Sequence, residues 1–448
     1  MERPITEYRP HYSRSKRFIK RVLTLGIAVW ILSCVPAFAE ETARIDSGDT
    51  AWLLISTALV MLMTPGLALF YGGMVRNKNV LGTLMHSFMI LCVMSIVWVL
   101  WGYTLAFGTD IKGFIGGLDY LGLKGVGQGP APLASTVPHL VFMMFQGMFA
   151  IITPALITGA FAERIKFSAL LLFTVLWGTF VYSPICHWVW GGGWIGELGA
   201  LDFAGGTVVH INSAIAAITA AIVIGKRKGY LVETMMPHNL PMTVLGAALL
   251  WFGWFGFNAG SALTSGGLAS LAFVTTNTSA AAATISWAFT EWYHRGKPTA
   301  FGAVSGAVAG LVAITPAAGF VSPMSAILIG LGAGVLCYMA VNIRPKIGYD
   351  DSLDVLGIHG VGGLWGALAT GLFASIAINP DGANGLFFGN PSLFMSQVIA
   401  SLGTIIYSAV VTLFILKVID LTIGLRVNNE EEVMGLDLSQ HGETGYNL

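Results

Sequence analysis

Apolar runs of about 20 residues recur along nearly the whole chain, and this feature constrains its fold most. A run of that length crosses a bilayer as a helix, so the chain reads as a polytopic all-α membrane protein. Eleven spans are predicted, near 50–73, 82–107, 138–162, 167–186, 203–225, 241–261, 268–292, 301–318, 323–342, 356–378 and 393–418. Charged residues make up 10% of the 448, against about 25% in soluble domains, so the runs belong to one membrane domain rather than to soluble domains. The 56 glycines suit closely packed helices. Formal net charge is +0 and the basic residues are scattered in short clusters, which excludes a nucleic-acid binder.

Basic residues give an independent test of the parse. Arg76 and Lys78, Arg164 and Lys166, Lys226 to Lys228, Arg295 and Lys297, and Arg344 and Lys346 follow alternate spans. The other connections carry only Lys112 and Lys124. The positive-inside rule then predicts an external N-terminus and a cytoplasmic C-terminus. Residues 1–39 read as a signal peptide: a basic stretch from Arg14 to Arg21, an apolar core, and Ala37-Phe-Ala39 before Glu40. The membrane domain is predicted over 40–418 and a cytoplasmic regulatory tail over 419–448. Cys34, Cys92, Cys186 and Cys337 stand far apart and imply neither a metal site nor a disulfide framework.

Eleven spans permit a five-plus-five inverted repeat with one extra C-terminal helix. Ala150-Ile-Ile-Thr-Pro-Ala155 echoes Val312-Ala-Ile-Thr-Pro-Ala317, and His210 and His359 then fall on the last span of each half. Ionisable groups at membrane depth are expensive and usually line a cavity or path, here at the interface of the halves. Asp202 precedes His210 by eight residues, roughly 12 Å if the stretch were continuous helix. Asp354 precedes His359 by five, so each half is expected to pair an entrance carboxylate with a deeper histidine. The segment 184–202, with Pro184, Trp190 and Gly191 to Gly193, reads as an aromatic vestibule in a connection. Phe145 and Phe149 share a helix face, and Trp251 to Phe257 form a second aromatic cluster. Such rings serve cation contact, a gate, or plain bundle packing.

Several motifs resemble the ammonium transporter family (the Amt, MEP and Rh superfamily), in its bacterial and plant-type branch. They are Ala200-Leu-Asp202-Phe-Ala-Gly-Gly-Thr-Val-Val-His210, Phe145-Gln146-Gly147-Met148-Phe149, Gly159-Ala-Phe-Ala-Glu163-Arg164, Trp254-Phe-Gly-Phe257-Asn-Ala-Gly-Ser261 and Asp350-Asp-Ser-Leu-Asp354-Val-Leu-Gly-Ile-His359. The tail segment from Gly435 to Tyr446 fits as well. The resemblance implies selective uptake of NH4+/NH3, with methylammonium as a possible second substrate. It implies recruitment at Phe149, Trp190 and Ser261, with Phe145, Trp254 and Asp202 nearby. Phe149 and Phe257 would form a gate, and His210 and His359 would line the pore with Trp254 packed beside them. It further implies a homotrimer in the plasma membrane, no cofactor or metal, and a tail that docks a PII-type regulatory protein. The competing classes are a Rhesus-type gas channel, a poorly transporting sensor and a membrane enzyme. The thirty-residue tail is too short for a sensor's output domain, and no nucleophile–base pair supports an enzyme.

Overall fold

A computed structural model describes residues 45–446. The expected signal peptide lies outside the described residues. The chain is a bundle of helices with two small hairpins and no larger sheet among the described residues. In chain order the long helices are α1 (Ser47–Met74), α2 (Val80–Val97, a π-helical Trp98–Gly102, then Tyr103–Phe107) and α3 (His139–Phe161). Next come α4 (Phe167–Trp177, π-helical Gly178–Tyr182, Ser183–Trp190), α5 (π-helical Gly206–Ile211, then Asn212–Ile224), α6 (Leu240–Gly260) and α7 (Gly267–Arg295). They are followed by α8 (Ala300–Ile314), α9 (Pro323–Ile347), α10 (π-helical Leu356–Gly360, then Val361–Phe373) and α11 (Pro391–Thr422). Ten of these are long and apolar enough to cross a membrane; α8, with 15 residues, is shorter. It ends at Thr315-Pro316, where proline cannot continue the ladder, and the chain turns inside the bundle.

Packing buries an apolar core together with the polar groups of the spans, and leaves further apolar side chains on the outside. Helix α1 lies along α6, and α7 along α8 and α9. At Gly246 of α6 an added Cβ would collide with the Phe70 backbone of α1, so glycine is what permits this approach. Around the outside, Phe88, Ile96, Ile406 and Phe414 are exposed, a periphery suited to lipid.

One end of the bundle, the loop face, carries the hairpins Asp110–Ile111 with Ile115–Gly116 and Pro130–Ala131 with Ala134–Pro138. The other, the tail face, gathers the alternate basic residues. Arg76 and Arg227 pair with Glu163, Arg227 also pairs with Asp350, and Arg295 donates to Asn342. Two short helices, α12 (Asn429–Met434) and α13 (Leu436–His441), lie against this face. Glu432 accepts from Lys228 N, Asp437 from Gly82 N, and Val433 O from Lys78 Nζ.

Two expectations from sequence are corrected. Helix α4 does not stop at 186 but runs to Trp190, through Pro184. The carbonyl that this proline cannot serve, Phe180 O, accepts the Tyr407 hydroxyl at 2.9 Å instead. Residues 202–205 are not helical, so Asp202 and His210 are not two turns apart on one helix; Gly205, at φ 114°, breaks the chain direction before α5 starts.

Candidate functional site

At the loop face a recess of about 310 Å³ is lined by Phe107, Phe142, Gln146, Trp190, Phe203 and Ser261, among others. Trp190 reaches it from the last turn of α4, its indole N–H fixed on Asp202 O at 2.9 Å. Its ring stands edge-on to Phe149, centroids 5.8 Å apart at 87°. Ser261 caps α6, and its hydroxyl donates to Phe257 O at 2.8 Å, which leaves the oxygen lone pairs free to accept. Gln146 Oε1 is buried without a hydrogen-bond partner. This amide was not singled out from sequence, although a polar residue inside an apolar helix was a signal.

Below the recess Phe149 of α3 and Phe257 of α6 meet with centroids 4.3 Å apart and 33° between planes. Phe145 is wholly buried and packs against Phe149 at 5.0 Å, behind the pair. Past the two rings lies a lumen of only about 10 Å³, lined by His210, His359, Trp254, Phe257, Val209 and Leu250 among others. That is about the space of one water molecule. His210 and His359 bond through their Nδ1 atoms at 3.2 Å. The His210 ring stacks on Trp254 at 5.5 Å and 23°, and its Nε2 is buried with no hydrogen-bond partner. Trp254 is thus on the lumen side of the phenylalanines, beside the histidines rather than in the recess. Its indole N–H donates to Thr315 Oγ1 at 2.9 Å, so α8 sets its orientation, a long-range anchor that no local motif announces.

The carboxylates act on helix starts. Asp202 accepts backbone N–H groups from Gly205, Gly206, Thr207 and Val208 at 2.7–3.2 Å. It therefore supplies the acceptors that the first turn of α5 lacks and favours the positive end of its dipole. Its carboxylate faces this turn, and its backbone carbonyl faces Trp190. In the second half Asp351, not Asp354, holds the matching position. Asp351 lies eight residues before His359, as Asp202 does before His210, and accepts Leu356 N at 2.8 Å. Asp354, at φ 61°, turns away to pair with Arg344 at 2.6 Å. Both histidines sit in π-helical turns, a feature frequent at functional sites. No group of three or more His, Cys, Asp or Glu that could hold a metal occurs among the described residues.

Fold and site together define a polytopic helical membrane protein whose aromatic rings and bonded histidines form one enclosed column within a single chain. Residues 51–446 match the family model of the Ammonium Transporter Family. An ammonium transporter of Bacillus subtilis is 57% identical over 400 residues, covering 89% of this chain and 98% of that protein. Ammonium transporter Amt1 of Archaeoglobus fulgidus is 53% identical over 401 residues, 90% and 100% of the two chains. The crystal structure of Candida albicans Mep2 superposes with a TM-score of 0.83 at 37% identity, covering 90% of each chain. A structure described as a sensor Amt protein gives a TM-score of 0.81 at 29% identity, covering 88% of this chain and 98% of its own. The chain belongs to the Ammonium Transporter Family. It is a multi-pass plasma-membrane protein for ammonium transport, and not an enzyme.

Proposed function

We propose that NH4+ is recruited at the loop-face recess, gives its proton to solvent water in the recess above the phenylalanine pair, and continues as NH3 along the two histidines. The observation that carries this reading is the lumen: about 10 Å³, closed above by Phe149 and Phe257 and containing the His210–His359 bond. A hydrated cation does not fit such a space, whereas one small neutral molecule does. In the recess Trp190 offers its ring to a cation, with Phe149 packed edge-on beneath it, and Ser261 and Gln146 offer oxygen acceptors. Ammonium donates hydrogen bonds to such oxygens and potassium cannot. In the lumen one neutral imidazole donates its Nδ1–H to the other. The donor ring then presents a bare Nε2 and the acceptor ring an Nε2–H, so the pair offers both roles to a passing NH3.

The loop face is read as external and the tail face as cytoplasmic, supported by the basic residues gathered at the latter. The column is complete within one chain, which fits a homotrimer with a pore in each subunit. The tail, with Glu430 to Glu432 beside the basic cluster, is read as the docking surface of a trimeric PII-type regulator. A pull-down with the host's regulator at low 2-oxoglutarate that recovers nothing would sink this last reading.

Current in a supported membrane after an ammonium pulse, with parallel flux, tests the mechanism. A saturable current absent with K+ means the proton crosses as well, whereas flux without current means neutral NH3 passage. His210→Ala is expected to slow flux by about fivefold or more, the worth of about one hydrogen bond. Unchanged rate and selectivity would return His210 to a packing role.

A further inference from the structure

His187 lies on α4, one turn before Trp190, and is wholly buried. Its Nδ1 is 2.9 Å from Ala106 O and its Nε2 is 2.8 Å from Asp110 Oδ1. A carbonyl and a carboxylate can only accept. A neutral imidazole carries one N–H, so it would leave a ring lone pair against an oxygen lone pair. The two oxygens of Asp110 also accept Gly113 N, at 2.8 and 2.9 Å, as suits an ionised carboxylate. The His187 hydrogen bond, with the Gly113 amide, holds that carboxyl below its usual range. Both ring nitrogens of His187 therefore donate.

This ion pair joins two pieces of the loop face. The His187 carbonyl accepts Gly191 N at 2.9 Å and Gly193 N at 3.0 Å, ending α4 immediately after Trp190. Trp194 N donates to Gly113 O at 3.1 Å, and the Trp188 indole to Phe114 O at 2.8 Å. The hairpin and the turn that carries Trp190 are thus one unit, with the imidazolium inside it. We propose that His187 is a positioning residue, doubly protonated and clasped to Asp110, that fixes the turn presenting Trp190 to ammonium. The proposal rests on reading Trp190 as part of the recruitment site.

The elements packed on this turn carry other titratable groups: Tyr103 on α2, Tyr182 and Cys186 on α4, Glu197, Lys112 on the hairpin and His210 on α5. Among the described residues only Asp110 bonds the imidazole through a side chain. A ring without the second proton sets a bare nitrogen against Asp110 and loosens the hairpin from α4.

The test uses full-length protein labelled with 15N-histidine in lipid, the resonance being assigned by its loss in His187→Gln. At neutral pH both ring nitrogens of His187 are expected to show the protonated shift. Transport is then measured from about pH 6 to about pH 9, across the imidazole range. The half-saturating ammonium concentration of wild type is expected to rise roughly two- to fivefold toward the alkaline end, the worth of a weakened cation–π contact. Asp110→Asn, whose amide N–H donates to the Nε2 of a neutral ring, is expected to remove this rise. The titration of ammonium itself is common to both proteins and cancels in their ratio. An unprotonated His187 nitrogen at neutral pH, or Asp110→Asn tracking wild type at every pH, would overturn the proposal. Trp190→Ala separates the two readings: unchanged half-saturation there defeats the recruitment role of Trp190, while the nitrogen shifts still report on His187.

Discussion

Two tryptophans in apolar helices occupy different stations of the column. Trp190 lines the open recess, and Trp254 lines the closed lumen against His210. Trp190→Ala is expected to raise the half-saturating ammonium concentration about two- to fivefold with little change in maximal rate. Trp254→Ala removes the surface on which His210 stacks and leaves the Thr315 hydroxyl without its donor, so it is expected to lower maximal rate instead. The concentration dependence of uptake into vesicles distinguishes them, and a shift of the same parameter in both would contradict the division. Sequence could locate His210 and His359, because an imidazole inside an apolar run is costly unless it lines a cavity or finds a partner. The family resemblance placed Trp254 beside the histidine pair, but not the anchor that orients it, the Thr315 hydroxyl, 61 residues away.

At the scale of elements the histidine helices begin alike, and the strength of their caps differs. Asp202 accepts four N–H groups at the start of α5, whereas Asp351 accepts Leu356 N and leaves Oδ1 unpartnered. Asp202→Asn places amide hydrogens against this ring of donors and is expected to cost roughly 2–3 kcal/mol, more than Asp351→Asn. Thermal unfolding in detergent measures the order, and a larger loss for Asp351→Asn would refute it. The helices and their order were legible from hydropathy, since lipid forces each run into one segment. The ends of α4 and α5 were not. The predicted end of α4 at 186 fell a turn short of Trp190, and the donor that lets the helix run through Pro184, Tyr407, is more than 200 residues away. Asp354 was the expected entrance carboxylate of the second half, yet its positive φ and Arg344 turn it outward.

Across the whole molecule charge is confined mainly to the tail face, where it ties α1, α3, α5 and α10 together. Burial alone would raise the Glu163 carboxyl, but Arg227 and Arg76 outweigh it and hold it below the usual range. Asp350 behaves likewise, burial being outweighed by Arg227 and Arg164. These two carboxylates contribute stability that is present above the ordinary carboxylate range and lost as pH falls through their lowered values. Asp354 has the opposite sign. Burial pushes its carboxyl up to about 7, only partly offset by Arg344. Between about pH 4 and pH 7 the folded protein keeps a proton there that the unfolded chain has released, so this group makes stability fall as pH rises. Asp354→Asn is therefore expected to gain thermal stability relative to wild type as pH rises through that window, and Glu163→Gln to flatten the loss below it. Arg227→Ala removes the cation that Glu163 and Asp350 share and leaves Asp350 with only Arg164, at 3.9 Å, among the described residues, so it is expected to cost about 3–5 kcal/mol near neutral pH. Unfolding midpoints of the purified protein from about pH 3 to about pH 8 check all three. A constant difference between Asp354→Asn and wild type across the window would mean that Arg344 holds Asp354 ionised throughout, and that the charge of this face is fixed rather than titrating.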